Sequence, residues 1–435
     1  MEARGIVDQF PDKELLDRDL KWRRWPLAHY AVPFTLTETQ RALFARAVPA
    51  VCRAAEAVVA AFSEDKALRA LFGYTPERER FILKEPGYRP LIPLGRLDSY
   101  LYRKSVKFME YNTDGTAGWH YSGGLSALWR ERSGLKPERA PLEKRLLEAL
   151  LACYGRWSKG ASPNTIAIAD WRNVGTRPEQ EALRGFFESQ GFQASLEDPS
   201  NLRHEGGRLI GSLGPIDLLY RRVVSEELFV RRARVRGFLD AYLNGAFCCV
   251  GSFRTDPAWS KILFVALSDP KWRSLFTKAD GKVLSEVIPW TRLVCPEMAD
   301  AAEGKELRAL LLLDRGHYLL KPAHSYQGAG VTAGALVSPE AWKRDVTRSF
   351  SQGAWVAQEY LEPVAWQPPH DGPRHFLQVG AFTAMGRWAG LMARVCESPV
   401  ITPDSIDKFL PVGEEVPWET ISPPIPRWAC NGAPK

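Results

Sequence analysis

Two short segments carry residue types that suit divalent-cation chemistry: Arg96-Leu97-Asp98 and Glu110-Tyr111-Asn112. On a strand, residues two apart point to one face, so Arg96 shares a face with Asp98 and Glu110 with Asn112. If a hairpin turns through Arg103–Ser105, positions summing to 208 oppose each other. Asp98 then faces Glu110 and Arg96 faces Asn112, which gathers two carboxylates and an amide oxygen. Oxygen ligands of this kind suit Mg²⁺, which is held by one or two carboxylates together with phosphate oxygens. Two opposed carboxylates repel without a cation. Arg96 offsets part of that repulsion or receives an anionic group of a substrate. A salt-bridged surface hairpin is the structural alternative.

The second cluster is Lys321-Pro322-Ala323-His324-Ser325-Tyr326-Gln327-Gly328-Ala329-Gly330-Val331. A lysine ending an apolar strand can set its ammonium on phosphate oxygens, and a loop with Gly328 and Gly330 can approach them through backbone N–H groups. It is not a P-loop, because the lysine precedes the glycines and no Gly-Lys-Ser/Thr ending occurs. A tight surface turn is the alternative, and His324 reads as structural. Trp355–Leu361 runs from an apolar strand into an acidic segment that can offer backbone hydrogen bonds to an adenine edge and a carboxylate to ribose hydroxyls; an ordinary edge strand would look the same.

These groups need elements to carry them. The first ninety residues read as largely helical: Thr37 with Gln40 caps a helix bearing Leu43, Phe44, Val48, Val51 and Cys52, with Pro49 as its kink or break, and a second helix runs over Asp65–Phe72 to Gly73. From Arg89 the pattern turns strand-like at Leu91–Leu101 and Val106–Asn112, and the Gly115–Gly124 stretch follows. Glu143–Leu151 and Pro178–Gln190 read as helices, and Thr165–Ala169, Leu209–Ile210 and Ile216–Tyr220 as strands, which together suggest α/β architecture. Later, Glu306–Leu313 reads as a helix and Tyr318–Lys321, Trp355–Leu361 and His375–Phe382 as strands. Thr402–Phe409 resembles a capped helix. Trp119, His120 and Tyr121 either line a substrate pocket or pack around glycines.

Composition narrows the class. The 435 residues carry 58 Lys and Arg against 51 Asp and Glu, a formal charge of +7, in short runs such as Arg221–Arg222 rather than a stripe. A nucleic-acid partner is therefore not expected. No apolar stretch is long enough for a membrane span, and the mixed charges of the first residues do not form a signal peptide, so a cytoplasmic location is expected. The seven cysteines show no CxxC pair and the fifteen tryptophans no fixed period, against a zinc knuckle, a disulfide framework or a repeat array.

In order along the chain, the clusters resemble the circularly permuted ATP-grasp family, related to the glutathionylspermidine synthetase domain, over about Pro90 to Pro411. The resemblance implies an α/β (α+β) fold with mixed and antiparallel sheets and a helical N-terminal region. It divides the chain into a helical region 1–89, a metal-hairpin and substrate-side domain 90–230, a nucleotide-binding region 231–411 and a tail 412–435. It implies ATP and Mg²⁺ (two ions), with Asp98, Glu110 and Asn112 on the metal and Arg96 on the reacting carboxylate or acyl phosphate. ATP phosphates fall to Lys321 and Lys261, with Arg292 competing for the second position. The mobile loop falls on Ser325, Tyr326, Gln327, Gly328 and Gly330, and the adenine hinge on Gln358, Glu359, Tyr360 and Leu361. A late Gly-x-x-x-Arg followed by Ile-Thr matches Gly390, Arg394, Ile401 and Thr402, placing Arg394 among the catalytic residues. Ile216–Arg222 and Ile288–Arg292 are further echoes.

The activity so implied is ATP-dependent joining of a small-molecule or peptide carboxylate to an amine through an acyl phosphate. With no room before Pro90 for the amidase domain of some relatives, glutathionylspermidine hydrolysis is not expected. A small-molecule kinase and a degenerate ATP-binding scaffold are the alternatives. The acid, the amine and any homo-oligomer are left open by the sequence.

Overall fold

The computed structural model describes residues 9–325, 328–368, 372–400, 405–419 and 421. Its first long element, α1 (Glu38–Ala61), starts at a capping box: Gln40 N–H donates to Thr37 Oγ1 at 3.3 Å and Thr37 N–H to Gln40 Oε1 at 3.0 Å. The expected break at Pro49 does not occur, and the helix runs through it for 24 residues. Phe44, Val48, Val51 and Val58 are fully buried in the main core, so tertiary packing outweighs the proline's lost hydrogen bond.

The hairpin follows as β1 (Leu94–Leu101) and β2 (Val106–Asn112), antiparallel. The glycine- and aromatic-rich stretch then enters a helix, α2 (Trp119–Arg132), which packs on α3 (Leu142–Trp157). Four parallel strands come next: β3 (Thr165–Ala169), β4 (Gln193–Glu197), β5 (Leu218–Arg221) and β6 (Cys248–Val250), in the order β6-β5-β3-β4. The helix α4 (Arg177–Ser189) is the crossover between β3 and β4. Short α5 (Ile262–Ser268) leads to a second, antiparallel sheet of β7 (Thr291–Val294), β8 (Tyr318–Pro322), β9 (Thr332–Ala333) and β10 (Trp355–Glu359), in the order β7-β10-β8-β9.

The chain then returns to the hairpin. Strand β11 (His375–Ala384) pairs with β1, and β12 (Arg387–Cys396) and β13 (Lys408–Leu410) extend the sheet outward, giving the order β13-β12-β11-β1-β2. Val364–Trp366 pairs with β11 as the sixth strand of this sheet. The helix expected over Thr402–Phe409 is not formed in its described part, where Lys408–Leu410 pairs with β12 instead; residues 401–404 lie outside the described ones. One core cluster takes residues from α1, α5, β1, β2 and β11 together with Ala323 and Val356, so the six-stranded and four-stranded antiparallel sheets are fixed against the same helices. No helix among the described residues is long and apolar enough to cross a membrane.

Candidate functional site

The hairpin's register decides which side chains meet. Arg96 pairs with Asn112 and Asp98 with Glu110, but Ser99 then pairs with Phe108, so Met109 is an extra residue in β2. At the turn, Tyr102 N–H donates to Ser105 O at 2.8 Å, and the pairs Tyr100–Lys107 and Leu101–Val106 follow a register one residue shorter. Without the bulge, Glu110 would turn to the opposite face of the sheet. With it, Asp98 and Glu110 face each other.

Asp98 is completely buried and chelated by Arg96: Nε to Oδ1 at 2.5 Å and Nη2 to Oδ2 at 2.9 Å. Arg394, on β12, reaches the same Oδ2 from Nη2 at 3.4 Å. Its Nε donates to Gln378 at 2.6 Å and its Nη1 to Asp407 at 2.7 Å. Glu110 is half-buried and, among the described residues, bonded only by Asn112, whose Nδ2 donates to Oε1 at 3.2 Å. Loss of water around Glu110 opposes its charge, but Lys261 and Lys321, aided by Asn112 and Arg96, outweigh this and hold the carboxyl below its usual range.

Lys321 comes from β8 and Lys261 from the residue before α5, and both are buried. Lys261 is tied to the loop after Lys321 at two points: its N–H donates to Ala323 O at 3.1 Å and its ammonium to Ser325 O. Lys321 Nζ donates to Gln358 Oε1 at 2.8 Å, and Gln358 Nε2 passes the chain on to Thr291 Oγ1 at 3.1 Å. Burial pushes the Lys321 ammonium down to about 8, partly offset by Glu110 and reinforced by Lys261. Lys261 is likewise lowered by burial, with Glu110 opposing. The hairpin carboxylate and the two lysines therefore act on one another directly. Arg292 sits elsewhere: in register with Ala357 it lies on the other face of the sheet from Lys321, over the Trp290 ring.

Between β8 and β9, Gly328 and Gly330 both take left-handed backbone, at φ 70° and 75°. A Cβ on Gly330 would stand 2.8 Å from Pro322 Cγ, so glycine is needed for the loop to fold back over the strand end. Ser325 Oγ donates to Pro322 O at 3.1 Å; Tyr326 and Gln327 lie outside the described residues. His324 stacks obliquely on Tyr74 at 5.0 Å, and burial first, then Arg78 and Lys261, push it down to about 4, which suits a packing role. In the hinge segment, Glu359 N–H donates to Trp290 O at 2.9 Å and Tyr360 N–H to His317 O at 2.7 Å, while Leu361 follows outside the strand. Gly390 packs on Leu142; Ile401 and Thr402 lie outside the described residues. Trp119 and Tyr121 are buried in α2, and His120 bonds Glu143 at 3.0 Å, the arrangement of packing residues.

Several residues of the cluster carry no motif. Gly380 lies opposite Asp98 on β11, where a Cβ would stand 2.7 Å from Arg96 Cδ and 2.9 Å from Asp98 Oδ1. An isolated glycine in a strand pattern is the signal that could have found it. Gln378 and Asp407 gave no signal of this kind. Two surface cavities, of about 450 and 720 Å³, share no lining residue with the cluster and border β4 and α4 instead.

The donors suit a hard cation only in part. Glu110 Oε2 has no hydrogen-bond partner among the described residues and Asn112 offers an amide oxygen, both of the type Mg²⁺ takes, whereas both Asp98 oxygens are already held by arginine. Among the described residues, no group of three His, Cys, Asp or Glu side chains could hold a metal ion.

Among solved structures, a glutathione synthetase like-effector from Globodera pallida in apoform superposes with a TM-score of 0.57, covering 92% of this chain and 95% of its own at 10% identity. The two chains share a fold. A proposed gamma-glutamylcysteine synthetase from Methylobacillus flagellatus KT aligns more loosely, with a TM-score of 0.43 at 9% identity over 87% of this chain and 89% of its own. No protein-family model and no curated protein matches the sequence. The shared architecture is a mixed α/β fold with parallel and antiparallel sheets.

Proposed function

We propose that this chain is an ATP-dependent carboxylate–amine ligase of circularly permuted ATP-grasp arrangement. The observation that carries the reading is the nearness of half-buried Glu110 to two buried lysines, Lys321 on a different sheet and Lys261 at the start of α5, beside a glycine loop with left-handed backbone. Lys261 and Lys321 have no carboxylate within ion-pairing distance among the described residues, and burial disfavours the charge of both. A polyanion relieves that cost, and a triphosphate fits it.

In the proposed reaction the substrate carboxylate oxygen attacks the γ-phosphorus of ATP. A new O–P bond forms, the bond to the β-phosphate bridging oxygen breaks, and ADP departs with that electron pair. The amine nitrogen then attacks the acyl-phosphate carbon, inorganic phosphate leaves, and the amine gives up a proton to water or to the departing phosphate. Lys321 and Lys261 stabilise the phosphoryl oxygens as charge builds on them. Ser325, Gly328 and Gly330 would face the phosphates and help exclude the water that would hydrolyse the intermediate. With the N–H groups of Glu359 and Tyr360 already engaged, the Leu361 N–H is the hinge donor for an adenine edge, and Glu359 the carboxylate nearest a ribose. Arg96 receives the carboxylate. Glu110 and Asn112 would hold a divalent ion, which would supply positive charge to the reaction.

The test is incubation with ATP and mixed pools of acids and amines, read by mass. Ligation gives ADP, phosphate and a product of acid plus amine less one water. A phosphorylated product that persists in the presence of every amine, or no ATP consumption at all, overturns the reading.

A further inference from the structure

The resemblance assigns Asp98 to the metal, but its surroundings are those of a residue that orients arginines. Asp98 is fully buried at the centre of the six-stranded sheet, and its two oxygens take three guanidinium N–H groups, two from Arg96 and one from Arg394. Gly380 leaves room for this on the neighbouring strand, since a Cβ there would collide with both Arg96 and Asp98. The arginines are braced from outside as well: Arg96 Nη1 donates to Ala117 O at 2.7 Å, and Arg394 is held by Gln378 and Asp407.

A guanidinium has five N–H donors. Arg96 uses three, on Asp98 and Ala117, and Arg394 uses three, on Gln378, Asp407 and Asp98, so each keeps two with no partner among the described residues. Asp98 and Asp407 balance the two positive charges, and the cluster offers aimed donors rather than excess charge. A divalent ion at Asp98 would have to displace the chelating guanidinium and then sit between two arginines. Glu110, one strand over, has only a single amide hydrogen bond and no such obstacle.

We propose that Asp98 is a positioning residue: it stays off the metal and fixes Arg96 and Arg394 side by side as a seat for an oxyanion, the substrate carboxylate or its phosphorylated form. This rests on the nucleotide-site reading above. Asp98 acts through the arginines, whose free N–H groups meet the ligand.

The experiment uses the full chain with Mn²⁺ and AMP-PCP, followed by electron paramagnetic resonance, in the wild type, Asp98→Asn and Glu110→Gln. Glu110→Gln weakens Mn²⁺ binding by about tenfold or more, and Asp98→Asn keeps it within about twofold. In parallel, phenylglyoxal labelling of Arg96 and Arg394 is read by peptide mass. Inorganic phosphate protects both in the wild type, and Asp98→Asn labels faster and loses that protection. Loss of Mn²⁺ affinity in Asp98→Asn equal to that in Glu110→Gln overturns the proposal, as does unchanged, phosphate-protected labelling. If Asp98→Asn does not fold, the anomalous-scattering map of wild-type crystals with Mn²⁺ and AMP-PCP decides: an intact Arg96–Asp98 pair supports the proposal, and an Asp98 oxygen on the metal refutes it. A wild type that binds no Mn²⁺·AMP-PCP removes the nucleotide site itself, and this inference with it.

Discussion

Two clusters of buried charge, one on the parallel sheet and one at the antiparallel hairpin, are built in opposite ways. At the carboxyl ends of the parallel strands three buried arginines each meet a carboxylate: Arg221 holds Asp114 at 2.5 Å, Arg222 holds Glu179 at 3.1 Å and Arg78 holds Asp256 at 3.1 Å. Backbone and hydroxyl groups complete these carboxylates, with Ser225 N–H on Asp114, Gly118 N–H on Glu179 and Ser225 Oγ on Asp256, each at 2.7 Å. At the hairpin, Glu110, Lys261 and Lys321 have no ion pair within 4.0 Å among the described residues, and burial lowers both lysines. The first cluster is closed and ties α2, α4 and the strand ends together. The second is electrostatically incomplete until an anion enters. Under the proposed function, the paired charges hold the fold and the unpaired ones take the nucleotide.

The sharpest way to break the contrast is to exchange the effects of mutation. Under the proposed function, Lys321→Met or Glu110→Gln lowers ATP-dependent turnover by about a hundredfold or more, in line with removal of a preorganised charge, while neither lowers the urea midpoint appreciably. Asp114→Ala does the reverse in stability: it strands Arg221 without its counter-ion and costs about 3–5 kcal/mol by urea unfolding. If Glu110→Gln proved as destabilising as Asp114→Ala, the two clusters would not differ in kind.

A middle-sized effect tests the seat beneath the hairpin. Gly380→Ala forces a methyl against Arg96 and Asp98, with an expected loss of about 1–3 kcal/mol by thermal or urea unfolding. Wild-type stability in this variant would mean that the sheet yields there.

Lys321 gives a pH-dependent test. Its folded value near 8 lies below the ordinary lysine value of 10.5. Between these values the unfolded chain binds more protons, so this residue's contribution to stability rises with pH across the window and is least favourable below pH 8. Lys321→Met is therefore more stable than the wild type at pH 7 by up to about 3 kcal/mol, and the advantage fades towards pH 10.5. Nucleotide binding favours the charged lysine, so wild-type affinity for AMP-PCP falls as pH rises through 8. The smallest effect lies far from the site: Thr37→Ala removes the capping box of α1 and costs about 1 kcal/mol.

Much of the hairpin was legible because strand periodicity is exact: the pairing of Arg96 with Asn112 and Asp98 with Glu110 follows from two segments and a turn. The device that secures it was not, since nothing in Val106–Asn112 announces a bulge at Met109. The start of α2 was hidden for a related reason. Gly123 and Gly124 disfavour a helix locally, yet a Cβ at either would stand within 2.9 Å of Glu143 or Leu20, so close packing overrides propensity there. At Thr402–Phe409 a capping pattern suggested a helix, and pairing of Lys408–Leu410 with β12 prevailed in the described part. The arginine chelation of Asp98 was the least accessible, because it depends on three strands meeting across Gly380.

The central claim is that Glu110 and Lys321 serve one bound nucleotide. It is tested most directly by a double-mutant cycle in which calorimetry measures the affinity of AMP-PCP with Mg²⁺ for the wild type, Glu110→Gln, Lys321→Met and the double variant. A shared site predicts weaker binding in each single variant and a coupling energy of about 1 kcal/mol or more between them. Strictly additive losses, or a wild type that binds no nucleotide, would contradict it.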